Sequence, residues 1–318
     1  MVSSWSLPEK VEDLYPMQAL KLEKCRRQII DLFLRQKFNL IQPALIEFSE
    51  NISFNGQNLD HDTFKVSDPL SKELIGITPD LTIQTARIDN YLAKGLNDEM
   101  RYCYAGPVLK TNANQLGKSR EEFQVGVEIY GNSKLDADNE VILLLAKVLK
   151  LLKIKKPLIS FNDLYFFYKL TEKLNLNTMQ LQDLRKLVAM KNKSAIESLL
   201  NKICSKNDLS KVLMFVDING RDNAITHLDD LFTDKESKAH IKNLKKIANK
   251  TAKEISVFYD FSDVDYYEYH NGLVFSVYAE GYGSSIAAGG RFDSLTTNFG
   301  KKRAAVGFSF DLRNLLFS

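Results

Sequence analysis

The sequence predicts an α+β fold, with a mixed, mostly antiparallel sheet flanked by helices and a helical insertion in the chain. Three observations carry the prediction. Short runs rich in Val, Ile, Phe and Tyr fall in the first half and again after Lys253, helical periodicity is nearly continuous between them, and glycine-rich turns separate the late runs. The sheet is therefore expected to be assembled from both ends of the chain, residues 1–161 and 254–318, around an insertion at 162–253.

Taken in order, the elements justify themselves locally. Between Met17 and Phe38, Leu20, Leu22, Cys25, Ile29, Ile30 and Phe33 recur at helical spacing with Lys and Arg between them, and Pro16 stands at the start. "FNLIQPALIEF" then reads as a strand interrupted by Pro43, which cannot donate to a ladder and so suits an edge or a dimer seam. Glu73 to Thr78, Tyr102 to Leu109 and Phe123 to Tyr130 follow as strands, the last two as a long antiparallel hairpin. "DADNEVILLLAKVLKLLKIKK" is a helix, with Asp136 and Asp138 expected in capping positions and lysines toward its C-terminal end. The insertion is dominated by Lys, Asn and Leu. Strands return in "ISVFYDF", "LVFSVYAE" and "AAVGFSF", with "EGYGSS" and "AAGGRFDS" as turns, and "DLRNLLFS" closes the chain.

Composition bounds the function. A chain of 318 residues, 44% hydrophobic and 26% charged, can bury one large core or a core plus a smaller module. Its 43 basic and 40 acidic residues leave a formal charge of +3, too small to argue for or against nucleic acid. Cys25, Cys103 and Cys204 lack the spacing of a zinc site or a disulfide framework and read as reduced structural thiols. No apolar run approaches the roughly 18 to 20 residues of a membrane span, and "MVSSWSLPEK" lacks a signal-peptide core, so a cytoplasmic protein is expected. Neither a metal nor a cofactor is expected.

The chemistry concentrates in "RYCYAGPVLKTNANQLGKSREEFQVGVEIYG". A hairpin carrying Lys110, Arg120 and Gln124, followed by glycine-rich "AAGGRFDS" and then a strand leading to Arg313, can surround an anion with positive charge. Singly, each cation is more often a solvated surface charge, as is the "KKR" run Lys301 to Arg303, and Gln124 with Glu128 is more often a satisfied polar pair.

The order of these motifs resembles the catalytic core of the class II aminoacyl-tRNA synthetases, specifically the histidyl-tRNA synthetase lineage, over nearly the whole chain. "FNLIQPALIEF" resembles its dimer-forming motif 1, "YAGPVLKTNANQLGKSREEFQVGVEIYG" motif 2 and "AAVGFSFDLRNLL" motif 3; "GITPDLTIQTARI" stands at the substrate-binding loop and "DYYEYHNGLVFSVY" at the histidine-specific stretch. The departures change the expected activity. Where the family has a phosphate-gripping arginine this chain has Lys110, whose point charge cannot reproduce a planar fork. Asn112 replaces a glutamate, Thr78 to Leu81 replace "RPEG", and Asp265 falls on the catalytic arginine, where a carboxylate would repel phosphate. The chain also stops five residues after Arg313, short of an anticodon-binding domain.

This combination resembles a related family, the non-catalytic regulatory subunits of ATP phosphoribosyltransferase, in "LPEKVEDLYP", "DTFKVSDPLSKELIGI", "TARIDNYL", "RYCYAGPVLK" and "YEYHNGLVF"; Glu268 and Asn271 depart from that family's pattern, and many of its members keep an arginine at Asp265. The resemblance implies a catalytically silent protein of histidine biosynthesis, without catalytic residues of its own, that activates the short catalytic chain and conveys histidine feedback. It implies a homodimer within a hetero-octamer holding four catalytic chains, no membrane, and nucleic acid as an unlikely partner. It also implies a histidine pocket: Asp80 and Gln124 for the ammonium, Glu128 for the imidazole, and Tyr269, His270 and Phe292 as walls. Lys110, Arg120, Arg313 and Asp265 would form a degenerate nucleotide site. The rival readings are a shortened histidyl-tRNA synthetase-like activating enzyme and a stand-alone histidine-binding or RNA-binding module.

Overall fold

Proline placement decides how the chain begins. In the computed structural model, which describes residues 6–52, 59–112, 119–264 and 270–317, Pro16 opens helix α1 (Pro16–Arg35), where its missing N–H would be unpaired in any case. The backbone N–H of Tyr15 donates to Gln18 Oε1 at 3.1 Å, closing the first turn. α1 buries Ile29, Ile30 and Phe33. Pro43 then cuts the following apolar run in two. β1 (Asn39–Leu40) pairs in parallel with β5 (Met100–Leu109), whereas β2 (Ile46–Phe48) leaves for a small separate sheet of order β2-β4-β3, with β3 at Phe64–Ser67 and β4 at Leu74–Ile77. Short helices α2 (Ser49–Ile52) and α3 (Leu59–Asp62) lie between β2 and β3, and α4 (Leu81–Leu92) follows β4.

The large sheet has nine strands. β5 and β6 (Glu121–Tyr130) form the expected long antiparallel hairpin, and β6 pairs on its other side with β12 (Ala305–Asp311) from the chain end. Beyond β12 come β11 (Ala287–Arg291), β10 (Leu273–Tyr278), β7 (Leu158–Asp163), β9 (Ser256–Asp260) and the two-residue β8 (Asn219–Gly220), giving β1-β5-β6-β12-β11-β10-β7-β9-β8. β1–β5 and β7–β9 are the parallel pairs. Alternation assigns Val125, Val127 and Ile129 to the face covered by α1 and by α5 (Leu135–Leu151), where they join Phe33, Val141 and Leu145 in one core. Gln124, Glu128 and Tyr130 take the opposite face.

Three expectations are corrected. "AAGGR" is a strand, not a turn: a Cβ on Gly289 would stand 2.3 Å from the carbonyl oxygen of Gly307 and 2.6 Å from the Phe275 ring, so the strands can close up only around glycine. α5 is not capped by its aspartates, since its N-cap is Lys134, which makes no side-chain cap bond; Asp138 instead meets Arg291 of β11 at 2.8 Å. The "KKR" run is not a solvated surface throughout, because Arg303 is 0% exposed at its side chain and pairs at 2.7 Å with an equally buried Asp89 of α4. Its guanidinium also donates to the carbonyls of Leu96 at 2.9 Å and Asp98 at 2.6 Å, so every part of its charge is met. The helical insertion packs onto the sheet's own core. Its helices α6 (Leu164–Thr171), α7 (Thr178–Ala189), α8 (Lys193–Leu200), α9 (Lys206–Val216), α10 (Asp222–Leu231) and α11 (Lys235–Thr251) send Phe166, Leu184, Ile196, Phe215, Leu228 and Leu244 into the same cluster as the sheet. β12 runs directly into the short final helix α12 (Leu312–Phe317).

Candidate functional site

The polar face of the β5–β6–β12 strands carries two distinct constellations. The first is built around Glu128, which is 1% exposed. Tyr104 on the neighbouring strand donates its hydroxyl to Glu128 Oε1 at 3.1 Å, and Tyr130, two residues on along the same face, donates to Oε2 at 2.6 Å. Gly307 is the reason the carboxylate fits: a Cβ there would fall 2.8 Å from Glu128 Cγ and 2.5 Å from the Val127 carbonyl oxygen. Burial pushes the Glu128 carboxyl up to about 8; the negative charge of Asp80 adds to that push, and the Tyr130 hydroxyl opposes it.

One pleat away, Gln124 joins the strand to α4. Its Nε2 donates to Asp80 Oδ1 at 2.8 Å and to Ser309 Oγ at 3.1 Å, and its Oε1 accepts the backbone N–H of Leu81 at 2.8 Å. Asp80 is the N-cap of α4 and accepts from the Thr82 N–H at 3.0 Å, so one carboxylate both starts the helix and holds Gln124. Aromatic rings complete the wall. Tyr130 meets Phe292 edge-on at 5.9 Å, and Phe292 meets His270 at 6.2 Å. On the same face, the Tyr102 hydroxyl is buried with no hydrogen-bond partner among the described residues, as is Gln84 Nε2 on α4. A buried cluster of fixed acceptors, unspent donors and edge-on rings has the chemistry to meet a small ligand that carries both an ammonium and a ring nitrogen.

The second constellation lies toward the tip of the hairpin. Its described cations, Lys110, Arg120 and Arg313, are each engaged within the protein. Lys110 Nζ sits 2.9 Å from Glu122 Oε2, Arg313 lies 3.1 Å from Glu121 Oε2 and donates to the Glu12 carbonyl at 2.7 Å, and the Arg120 guanidinium covers the Phe64 ring at 4.6 Å. Asp311, opposite Gln124 in the β12 ladder, adds a third carboxylate, pushed up to about 6 by burial and by the charge of Glu122. Glu121 and Glu122, the first two residues of β6, thus meet the charges of Arg313 and Lys110.

Asp80, Gln124, Glu128, His270 and Phe292 are brought together, as are Lys110, Arg120 and Arg313; Asp265 and Tyr269 lie outside the described residues. Sequence reading missed Tyr104 and Tyr130 as the partners of Glu128, and Glu121, Glu122 and Asp311 as neutralising acids. The alternation of "YCYAG" against "QVGVEIY" was the available signal for the tyrosines. Gln124 and Glu128 are not paired with each other. Among the described residues no three His, Cys, Asp or Glu side chains gather to hold a metal ion, and no helix is long and apolar enough to cross a membrane.

A family model described as histidyl-tRNA synthetase matches residues 10–315. ATP phosphoribosyltransferase regulatory subunits from Methylobacillus flagellatus and Thiobacillus denitrificans are 35% and 32% identical to this chain, each over 99% of it, and over 82% and 98% of their own lengths. The chain belongs to the ATP phosphoribosyltransferase regulatory subunit family. Solved structures agree on the fold. A regulatory subunit/histidyl-tRNA synthetase from Bacillus halodurans superposes with a TM-score of 0.85 at 22% identity, covering 98% of this chain and 83% of that one. A chain from the HisG:HisZ complex of the ATP phosphoribosyl transferase of Thermotoga maritima gives 0.69 at 17%, covering 92% and 97%. This chain therefore has the synthetase-like sheet on which both constellations stand, and of the motif matches read from the sequence, motif 1 falls on β1 and β2, motif 2 on β5 and β6, and motif 3 on β12.

Proposed function

We propose that this chain is the regulatory subunit of an ATP phosphoribosyltransferase: silent as a catalyst by itself, it activates a short catalytic chain and conveys histidine feedback to it in the first step of histidine biosynthesis. The observation that carries the reading is the contrast on one sheet face, where the amino-acid pocket keeps Asp80, Gln124 and Glu128 buried and fixed while Lys110 and Arg313 are spent on Glu122 and Glu121. A nucleotide phosphate entering there must first separate two ion pairs and then approach three carboxylates, which disfavours aminoacyl-adenylate chemistry.

Histidine is the proposed feedback ligand. Its ammonium meets Asp80 and the Gln124 Oε1 edge, and its imidazole meets Glu128 beside Tyr130, with Phe292 and His270 as walls. Feedback requires histidine to favour one arrangement of the complex over another, and a coupling of about 1 to 3 kcal/mol is typical. The proposed assembly is a homodimer inside a hetero-octamer with four catalytic chains, in the cytoplasm. Support for the homodimer seam is apolar exposure: Leu45, Ile46, Phe48 and Val66 are 47%, 53%, 44% and 51% exposed on and beside the small sheet, contiguous with Pro43.

Phosphoribosyl transfer to ATP by the catalytic chain, measured with and without this protein while histidine is titrated, tests the proposal. Stimulation together with stronger histidine inhibition is expected. No effect, accompanied by histidine-dependent ATP–pyrophosphate exchange by this chain alone, would return it to the activating enzymes.

A further inference from the structure

Helix α11 carries charge in a pattern that the fold does not need. Residues 162–253 hold 17 Lys and Arg against 11 Asp and Glu, a net of +6, whereas the whole chain is only +3, so everything outside this unit is −3. Much of the excess sits on α11 and just past it, in Lys235, Lys238, Lys242, Lys245, Lys246, Lys250 and Lys253. At about 100° per residue these seven fall within an arc of about 140°, centred opposite the buried stripe of Ile241, Leu244, Ile247, Ala248 and Thr251. The stripe runs about 27 Å along the helix at about 1.5 Å per residue.

Its neighbours do not neutralise it. Lys238 pairs with Asp229 at 2.8 Å, and Glu236, the one acidic residue of α11, is turned to Lys169 at 3.4 Å. Lys242, Lys245, Lys246, Lys250 and Lys253 are exposed and have no ion-pair partner among the described residues. Like charges four residues apart, 238 with 242, 242 with 246 and 246 with 250, destabilise a helix. α1 shows the ordinary alternative: its Glu23 is shared by Arg26 at 2.7 Å and Arg27 at 2.5 Å.

We propose that the α11 lysine face docks an acidic face of the partner protein, the catalytic chain of the regulatory reading on which this inference rests. The chemistry of the stripe selects a carboxylate-rich protein surface over a nucleic acid. α11 has no arginine to fork onto phosphate, and its one ring, His240, is already stacked on Tyr165 at 3.8 Å and so is not open to a base. A row of hydrated ammonium groups on flexible stems acts through the long-range field, steering two protein faces together and fixing their register while remaining at the polar rim. Since the rest of the chain is net negative, the helical unit is the part of this molecule that attracts an acidic partner and the remainder the part that repels it, so the approach is oriented.

The experiment uses the full chain and the purified catalytic chain, with association followed by stopped flow from about 30 to 500 mM salt. The triple variant Lys242→Glu, Lys246→Glu and Lys250→Glu is expected to associate at least tenfold more slowly at low salt and to lose most of the salt dependence, with the Gln triple in between. Melting temperature serves as a folding control, and it should not fall, because the substitutions relieve repulsion. Unchanged association by a variant that still stimulates transfer overturns the docking assignment alone. A variant that associates normally but loses binding to a duplex RNA probe, or loses self-association on gel filtration, also overturns it in favour of those occupants. Failure of the wild-type chain to associate at any salt overturns the regulatory reading together with the assignment.

Discussion

The two constellations on the polar sheet face are separated by one or two pleats of β6, yet they treat charge in opposite ways. Around Glu128 a carboxyl is buried with hydroxyl donors and, among the described residues, no cation, which on the proposed reading leaves it for a ligand to meet. Around Lys110 each cation among the described residues already has a partner, so an arriving anion must compete with Glu121, Glu122 and the Phe64 ring for them. A retired site need not collapse. Here the backbone is kept, as the unbroken β5–β6 ladder shows, and on the proposed reading two acids at the start of β6 take up the cations of the nucleotide half.

The largest expected difference between the halves is in stability. Glu128→Ala strands two buried tyrosine hydroxyls and opens a cavity, and should cost about 3 kcal/mol in urea unfolding, with Glu128→Gln nearer about 1; Lys110→Ala should stay within about 1. Equal losses at the two positions would erase the distinction.

The pH dependence sharpens it. Burial holds the Glu128 carboxyl near 8, above its ordinary 4.5, so the folded protein binds the extra proton between those values. Its stabilising contribution is complete below about 4.5 and is lost as pH climbs through about 8. At about 1.4 kcal/mol per pH unit for a full proton, and allowing for relaxation, unfolding free energy should drop by about 2 kcal/mol more in wild type than in Glu128→Gln between pH 5 and pH 8.5. Parallel profiles for the two proteins would mean that Glu128 is not buried as described.

On the anion side, Glu122→Gln combined with Lys110→Arg removes the internal counter-charge. It should raise affinity for ATP about tenfold by equilibrium dialysis, which is about 1.4 kcal/mol, without producing pyrophosphate exchange. Exchange by that variant would show that two residues alone silence the chain. The smallest effect is expected for Arg120→Ala, about 0.5 to 1 kcal/mol of melting stability from its stacking on Phe64.

What the sequence disclosed follows from which forces are local. The β5–β6 hairpin and α1 were legible because alternation and helical spacing are written in consecutive residues. Gln124 and Glu128 were legible through resemblance. The role of "AAGGR" was not, because Gly289 is demanded by the approach of Gly307 some eighteen residues on, and glycine read locally signals a turn. Arg303 was misread for the same reason: its partner Asp89 lies more than two hundred residues away, and a run of basic residues looks solvated until the helix that receives it is placed. The neutralisation of Lys110 was within reach, since Glu122 faces it across the hairpin, but charge pairing across strands depends on a register that only the fold supplies.

The central claim is that the pocket is live for regulation while the nucleotide half is spent. Histidine inhibition of phosphoribosyl transfer by the assembled complex, measured with wild-type protein and with Glu128→Gln, tests it most directly. The account predicts that both proteins stimulate the catalytic chain, with the variant needing at least tenfold more histidine for half-inhibition. Coincident histidine curves at full stimulation would contradict it, and would place the feedback ligand elsewhere in the assembly.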